Sequence, residues 1–250
     1  MDLDAPFYAF ALAGFAAQLV DGMLGMGYGV SLTSLLLALG VPPASASFSV
    51  HASEIFFTSG VSGISHLSFK NVDHSLFKRL VIPGVIGGVA GAYVLSSVPG
   101  GVIKPLISAY LIVMGVVILV RAIMRTQTPD KGKRFAAPLA LVGGFLDAIG
   151  GGGWGPVVTT NLVASGAHPR TTIGTVNLAE FFVTVAESIT FVLTIGTLDL
   201  RIVGGLILGG VIAAPLGAWL CRHIPRRPWS IAVGLLIIGL SMRTLWKALN

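Results

Sequence analysis

The chain has 250 residues, of which 54% are hydrophobic and 10% charged, with a mean hydropathy of +0.88. A soluble domain carries about 25% charged residues, so too little polar surface is available to coat a water-soluble globule, and the composition specifies an integral membrane protein. The net charge of +6 comes from basic residues in short loops between apolar runs, which fits cytoplasmic loop anchoring far better than a nucleic-acid patch.

Taken in chain order, the apolar stretches run 6–22, 28–40, 48–67, 80–97 and 102–120, then 136–149, 155–166, 173–195, 202–221 and 229–246. A crossing helix needs about 20 apolar residues. The last three stretches of each set qualify, whereas the first two are short and are joined by a glycine cluster. They predict either two short tilted crossings or one re-entrant hairpin. The start Met1-Asp2-Leu3-Asp4 lacks the basic residues of a cleavable signal, so the first apolar run is expected to be retained. Cys221 is the single cysteine, which excludes an intrachain disulfide and a multi-cysteine metal site.

The two sets are copies. DGMLGMGYG from Asp21 and DAIGGGGWG from Asp147 lie at an offset of 126 (147 less 21). Without a gap, the same offset pairs Gly40 with Gly166, Pro43 with Pro169, Glu54 with Glu180 and Thr58 with Thr184. It also pairs Asp73 with Asp199, Gly91 with Gly217 and Pro99 with Pro225. A register held that long is a duplication. The expected domains are a first membrane repeat, 1–120, a polar cytoplasmic linker, 121–135, and a second membrane repeat, 136–250. Each half crosses an odd number of times on either version of the short stretches, so the second half lies inverted. Basic residues then divide 12 against 4 between the two faces, and a parallel arrangement divides them 11 against 5. The positive-inside rule favours inversion, with the linker inside and both termini outside.

Gly25, Gly27 and Gly29 match Gly151, Gly153 and Gly155, with Gly150 and Gly152 added in the second copy. Such runs unwind a helix. Unwound backbone at membrane depth is tolerated only inside protein or beside a wet cavity. Helices restarting near Val30 and Val157, the latter with Pro156 in its first turn, present free N–H groups and a positive dipole end. Two of them brought together form a site for an anion. Close packing through small residues is the competing reading. Tyr28 and Trp154 sit at matched places as pocket walls or as interfacial aromatics. Asp21 and Asp147 precede the breaks and suit capping of the unwound backbone rather than anion binding.

The third stretch reads SVHASEIFFTS in one copy and TVNLAEFFVTV in the other. His51 matches Asn177 and Glu54 matches Glu180, each pair three residues apart on one helical face. An ionisable group in a span faces the bundle interior. His51 and Asn177 are expected to donate to an anion. Glu54 and Glu180 are either proton carriers and gates or structural latches. Glu187 has no counterpart and is read as an accessory relay or lumen residue. His-Ala-Ser-Glu is not a zinc-binding His-Glu-x-x-His pattern, so neither a metal nor a cofactor is expected. Arg170, near His168, anchors a loop or draws anions, and His66 and His74 beside Lys70 are expected to be solvated.

GFAAQLVDGMLGMGYG, LGVPPASAS, GGFLDAIGGGGWGP and its NLAEF partner together resemble the sulfite exporter TauE/SafE family over almost the full length. The resemblance implies a multi-pass permease of the bacterial inner membrane that moves small anions. It suggests sulfite, organosulfonates such as sulfoacetate, or small carboxylates as substrates, and export coupled to protons. The expected fold is all-α, with two inverted repeats, each a glycine-broken helical hairpin plus about three transmembrane helices. The expected partners are a small anion, protons and the lipid bilayer, with no nucleic acid, and a homodimer stays open. The competing functions are a passive anion channel of the same fold, an intramembrane enzyme and a scaffold. Ser49 and His51 are only two apart and face different ways, which argues against a nucleophile–base pair.

Overall fold

A computed structural model describes residues 5–24, 27–56, 67, 70–123, 135–165, 167–196, 198–223 and 226–250. Gly25, Thr58, His66, Gly166 and most of the 121–135 linker lie outside these, as does the side chain of Arg170. The described chain is all-helical: α1 (Phe7–Leu24), α2 (Tyr28–Ala38), α3 (Pro43–Glu54), α4 (His74–Ser97) and α5 (Gly100–Ile123). There follow α6 (Ala136–Gly150), a π-helical turn (Gly155–Thr159), α7 (Thr160–Ala164), α8 (Pro169–Ile195), α9 (Leu200–His223) and α10 (Arg226–Leu249).

Helix bounds recur at the offset of 126 found in the sequence: α4 with α9 and α5 with α10 agree at both ends, and α3 and α8 start together. Among the described residues, His74–Ser97, Gly100–Ile123, Thr171–Ile195 and Ser230–Leu249 are long and apolar enough to cross a membrane. With 11 residues, α2 reaches only about 17 Å at 1.5 Å per residue, well short of the hydrocarbon core.

Several helices begin before their apolar runs because their first turns are polar but capped. The Asp73 carboxylate accepts from the Ser75 and Leu76 N–H groups and starts α4 six residues ahead of the predicted run. Its match, Asp199, accepts from the Arg201 N–H at the start of α9. Prolines in the first turns of α3 and α8 do the same work by fixing φ.

Packing is largely between the halves. α1 lies on α9, α6 on α4, α5 on α10 and α3 on α8. The α1–α9 and α6–α4 pairs occupy matched positions with the halves exchanged. Glycines set the approach. A Cβ on Gly87 of α4 would strike the Leu141 carbonyl and come within 3.0 Å of the Phe145 nitrogen of α6. A Cβ on Gly209 of α9 would strike the Ala11 carbonyl and approach the Phe15 nitrogen of α1. Small-residue packing is therefore present, but in the long helices rather than at the breaks alone. With no hydrophobic drive between helices in lipid, such close contact is the main source of cohesion.

The outer surface is apolar. Ile82, Ile86, Leu106, Val113, Leu193, Leu235 and Leu236 are exposed along the long helices, where lipid would meet them.

Gly87→Leu should force α4 and α6 apart and cost about 1–3 kcal/mol or more. Gly239→Leu should leave stability unchanged, because a Cβ there meets nothing within 4 Å. Thermal unfolding of both variants in detergent, read by tryptophan fluorescence, checks the contrast.

Candidate functional site

The two glycine breaks touch. α1 ends at Leu24, and α2 restarts behind Gly27, whose φ of 105° lies in the left-handed region. α6 ends in Gly151 with φ 63°, again left-handed and suited to glycine. Gly29 faces Gly151 and Gly152 so closely that a Cβ on Gly29 would sit 2.6 Å from the Gly152 Cα and strike the Gly151 carbonyl. Side chains tie the junction: Thr33 Oγ1 donates to the Gly151 carbonyl at 3.3 Å and the Tyr110 hydroxyl donates to the Gly152 carbonyl at 3.4 Å. Beyond it the chain makes a π-helical turn from Gly155 that contains Pro156, a geometry often found at functional sites.

The restarting helices are closed by the protein's own carboxylates. Asp147 Oδ1 accepts from the Gly153 N–H at 2.5 Å and the Trp154 N–H at 2.9 Å. The Asp21 carboxylate accepts from the Tyr28 N–H at the matched place. Thus the N–H groups of Gly153, Trp154 and Tyr28, which the sequence offered to a substrate anion, already hold an internal anion.

Tyr28 and Trp154 are 1% and 0% exposed, so neither lies in an interfacial belt. The Trp154 Nε1–H donates to the Val176 carbonyl at 3.2 Å. Ser53 Oγ donates to the Val50 carbonyl at 2.7 Å and so accepts the Tyr28 hydroxyl at 2.9 Å. Val50 and Val176 are matched positions. Each aromatic therefore reaches the same carbonyl of its own half, Trp154 directly and Tyr28 through a serine hydroxyl.

Beneath the breaks lies a buried polar cluster. His51 Nδ1 donates to the Ser47 carbonyl at 2.7 Å. His51 Nε2 stands 2.8 Å from Glu187 Oε2 and 3.5 Å from Asp147 Oδ2. Despite these short ion-pair distances, Nε2, Asp147 Oδ2 and both Glu187 oxygens make no well-formed hydrogen bond. Ser47 Oγ donates to the Ala148 carbonyl at 2.5 Å and locks α3 to α6. Glu54 is buried on α3, within electrostatic range of His51, Asp147, Asp21 and Glu187. Glu180 is half-buried on α8 and feels Glu54, Asp147, Asp21 and Glu187. Asn177 is half-buried on the same helix.

The structure thus gathers Asp21, Gly27, Tyr28, Gly29, His51, Glu54, Asp147, Gly151, Gly153, Trp154 and Glu180 around the helix breaks. Gly155 opens the π-helical turn, and Gly25 lies outside the described residues. Glu187, which the duplication left unmatched, lies buried beside His51 and Asp147 in the cluster. Its only signal in sequence is that it is an acid inside an apolar run. The expectation of no metal-ligating set also meets a difference. His51, Asp147 and Glu187 offer ligand atoms within 4.8 Å of one another from three separate helices, an arrangement invisible to local spacing.

A cleft of about 360 Å³ is lined by Ser45, Phe48, Ser49, Ile195, Leu198, Asp199, Arg201 and Ile202. Arg201 at its rim pairs with Asp199 at 3.2 Å. Phe48 stacks on Phe191 with centroids 5.6 Å apart, and Phe191 lies 6.2 Å from the His51 ring. The aromatic pair bridges the cleft and the polar cluster.

Asp147→Ala should strand the buried N–H groups of Gly153 and Trp154 and cost about 1–3 kcal/mol. Asp147→Asn keeps an acceptor oxygen and should cost less. Melting temperatures of the two variants test the capping role.

The sulfite exporter TauE/SafE family profile matches residues 10–244. The chain is 44% identical over 246 residues to "Probable membrane transporter protein YtnM" of Bacillus subtilis (strain 168), covering 94% of this chain and 81% of that protein. No solved structure matches. Broken helices meeting in an apolar bundle, together with these two likenesses, make the chain a multi-pass membrane transporter that belongs to the sulfite exporter TauE/SafE family.

Proposed function

We propose that the protein exports small sulfur-containing anions, such as sulfite or an organosulfonate, from the bacterial cytoplasm in exchange with or alongside protons. The observation that carries this is the meeting of the two glycine breaks in the interior, with titratable side chains packed around them. Broken helices at a repeat interface are the usual seat of substrate in secondary transporters.

The architecture proposed is two inverted repeats, each opened by a re-entrant hairpin. Three contacts support it. Leu37, Ala38 and Gly40 share a pocket with Lys104, Arg243 and Lys247, so the end of α2 lies beside the start of α5 and the end of α10. A Cβ on Gly205, early in α9, would approach Phe10 and the Phe7 carbonyl, so α1 starts on the same face. On the other face, Arg121 at the end of α5 donates to Asn161 of α7 at 3.5 Å. The α1–α2 hairpin then enters from the outside and the α6–α7 hairpin from the cytoplasm, with 121–135 as the cytoplasmic linker. One half rocks against the other to alternate access.

Substrate would lie against the junction of Gly27, Gly29, Gly151, Gly153 and Gly155, walled by Tyr28 and Trp154. Asn177 is the donor of the matched pair, because His51 Nδ1 is committed to the Ser47 carbonyl and Nε2 is turned toward Glu187 and Asp147. The surroundings explain why protons should be coupled. Asp21, Glu54, Asp147, Glu180 and Glu187 repel an anion unless some of them are protonated or otherwise neutralised. Glu54 and Glu180 are the proposed carriers. The cleft beside Arg201 would serve as the outer vestibule, with Phe48 and Phe191 as its floor.

A thermal-shift panel of sulfite, sulfate, thiosulfate, sulfoacetate, taurine, acetate and chloride at two pH values tests the substrate class. A ligand at 100 times its dissociation constant should stabilise the folded protein by about 2.7 kcal/mol. Selective stabilisation by sulfite or a sulfonate is expected, and no shift from any anion would point to another cargo. In proteoliposomes, Glu54→Gln and Glu180→Gln should each flatten the dependence of efflux on the pH gradient. Flux indifferent to that gradient in the parent protein would favour the passive channel.

A further inference from the structure

We propose that His51, Asp147 and Glu187 form a binding site for one divalent transition-metal cation. The inference goes beyond the transport reading and stands whether or not that reading holds.

Three features argue for a cation. The donor atoms are converged: His51 Nε2 is 2.8 Å from Glu187 Oε2 and 3.5 Å from Asp147 Oδ2, and all three ligand atoms fall within 4.8 Å of each other. Ligand atoms held at about 2.0–2.2 Å from one metal lie no more than about 4.4 Å apart, which the 2.8 Å and 3.5 Å separations satisfy. They are also unsatisfied. Nε2, Oδ2 and both Glu187 oxygens lack hydrogen-bond partners, although the three residues are at most 2% exposed. These atoms face one another across the cluster without a well-formed hydrogen bond, and two buried carboxylates against one imidazole are incompletely compensated, which a cation between them would remedy.

The surrounding shell is the third feature. A ligating histidine usually donates its other ring N–H to a carbonyl or carboxylate, and ligating carboxylates are themselves hydrogen-bonded. His51 Nδ1 donates to the Ser47 carbonyl, which leaves the Nε2 lone pair pointing inward. Asp147 uses Oδ1 to hold Gly153 and Trp154 and turns Oδ2 toward the histidine. Glu187 is seated by Gly88 of α4, where a Cβ would lie 2.5 Å from Oε1 and 2.8 Å from Cγ. Each ligand is thus oriented by a contact that the ligand atom itself does not use.

Charge and ligand type narrow the metal. A neutral imidazole and two carboxylates carry a charge of −2, which one divalent ion cancels. One nitrogen and two oxygens suit Zn²⁺ or Mn²⁺; thiolate-seeking Cu⁺ and the oxygen-only preference of Ca²⁺ fit less well. The duplication sets the stoichiometry. At the matched positions the other half offers Asp21 and Asn177, with the apolar Val61 in place of Glu187, so the chain should hold one ion and not two.

The test is metal content of the full-length protein, purified in detergent from cells grown with added Zn²⁺ or Mn²⁺ and desalted. About one ion per chain is expected. His51→Asn and Glu187→Gln should each leave well under one ion per chain, since losing a ligand weakens affinity by more than the about 10–100-fold that loss of an outer-shell partner costs. Glu180→Gln should leave it unchanged. Should either ligand variant fail to fold, Co²⁺ added to the parent protein decides, since nitrogen–oxygen coordination gives visible absorption. No stoichiometric metal together with no Co²⁺ absorption would overturn the proposal. Retention of metal by both ligand variants would overturn it equally. Absence of an anion-induced shift in the earlier panel leaves these readouts untouched, so the two readings can fail separately.

Discussion

The contact of Gly29 with Gly151 and Gly152 is the constraint on which the rest of the interior depends. Two backbones can come this close only if neither carries a side chain at the point of contact. Both helices are interrupted beside this contact, because left-handed residues such as Gly27 and Gly151 cannot continue an α-helix. Interruption exposes N–H groups in an apolar bundle, and these need acceptors. Asp21 and Asp147 supply them. Placing those acids in the interior creates a charge problem in turn, and His51, drawn in from α3, is the side chain set against Asp147 and Glu187 there. Each step follows from the one before.

The long helices serve that junction. α4 and α6 approach through Gly84, Gly87, Gly88, Gly91 and Gly144, which brings α6 and its terminal break deep into the bundle. Gly84 also makes room for the Trp154 ring, which a Cβ there would meet at 2.6 Å. α1 does the corresponding work against α9. The first helix of each half is packed on the fourth helix of the other, so each break is positioned in part from across the molecule.

Much of this was legible in the sequence. The offset joining Asp21 to Asp147 is written in residue types, and the helix bounds repeat with it. The glycine clusters marked the breaks because glycine is costly inside a helix and is kept where only it will fit. Helix starts were legible less well. Apolar runs locate the buried middle, whereas Asp73, Pro43 and Pro169 extend α4, α3 and α8 into polar turns. The triad of His51, Asp147 and Glu187 was not legible. Its members come from α3, α6 and α8, and Glu187 lies outside the repeat pattern, so only tertiary packing could bring them together. The destination of the N–H groups at the restarts was hidden for the same reason. An aspartate several residues upstream can cap or can face away, and the backbone decides which.

The routes by which Tyr28 and Trp154 reach matched carbonyls say something about how the duplicated halves diverged. Indole is long enough to reach Val176 unaided, and the position matching Ser53 is Ala179, which offers no hydroxyl. Phenol reaches only as far as Ser53, which passes the bond on to Val50. Ring and relay therefore act as one unit. Changing the ring without its neighbour would leave a buried donor idle or crowd a hydroxyl. The halves have become complementary parts that are no longer interchangeable, although their backbones still keep the same measure.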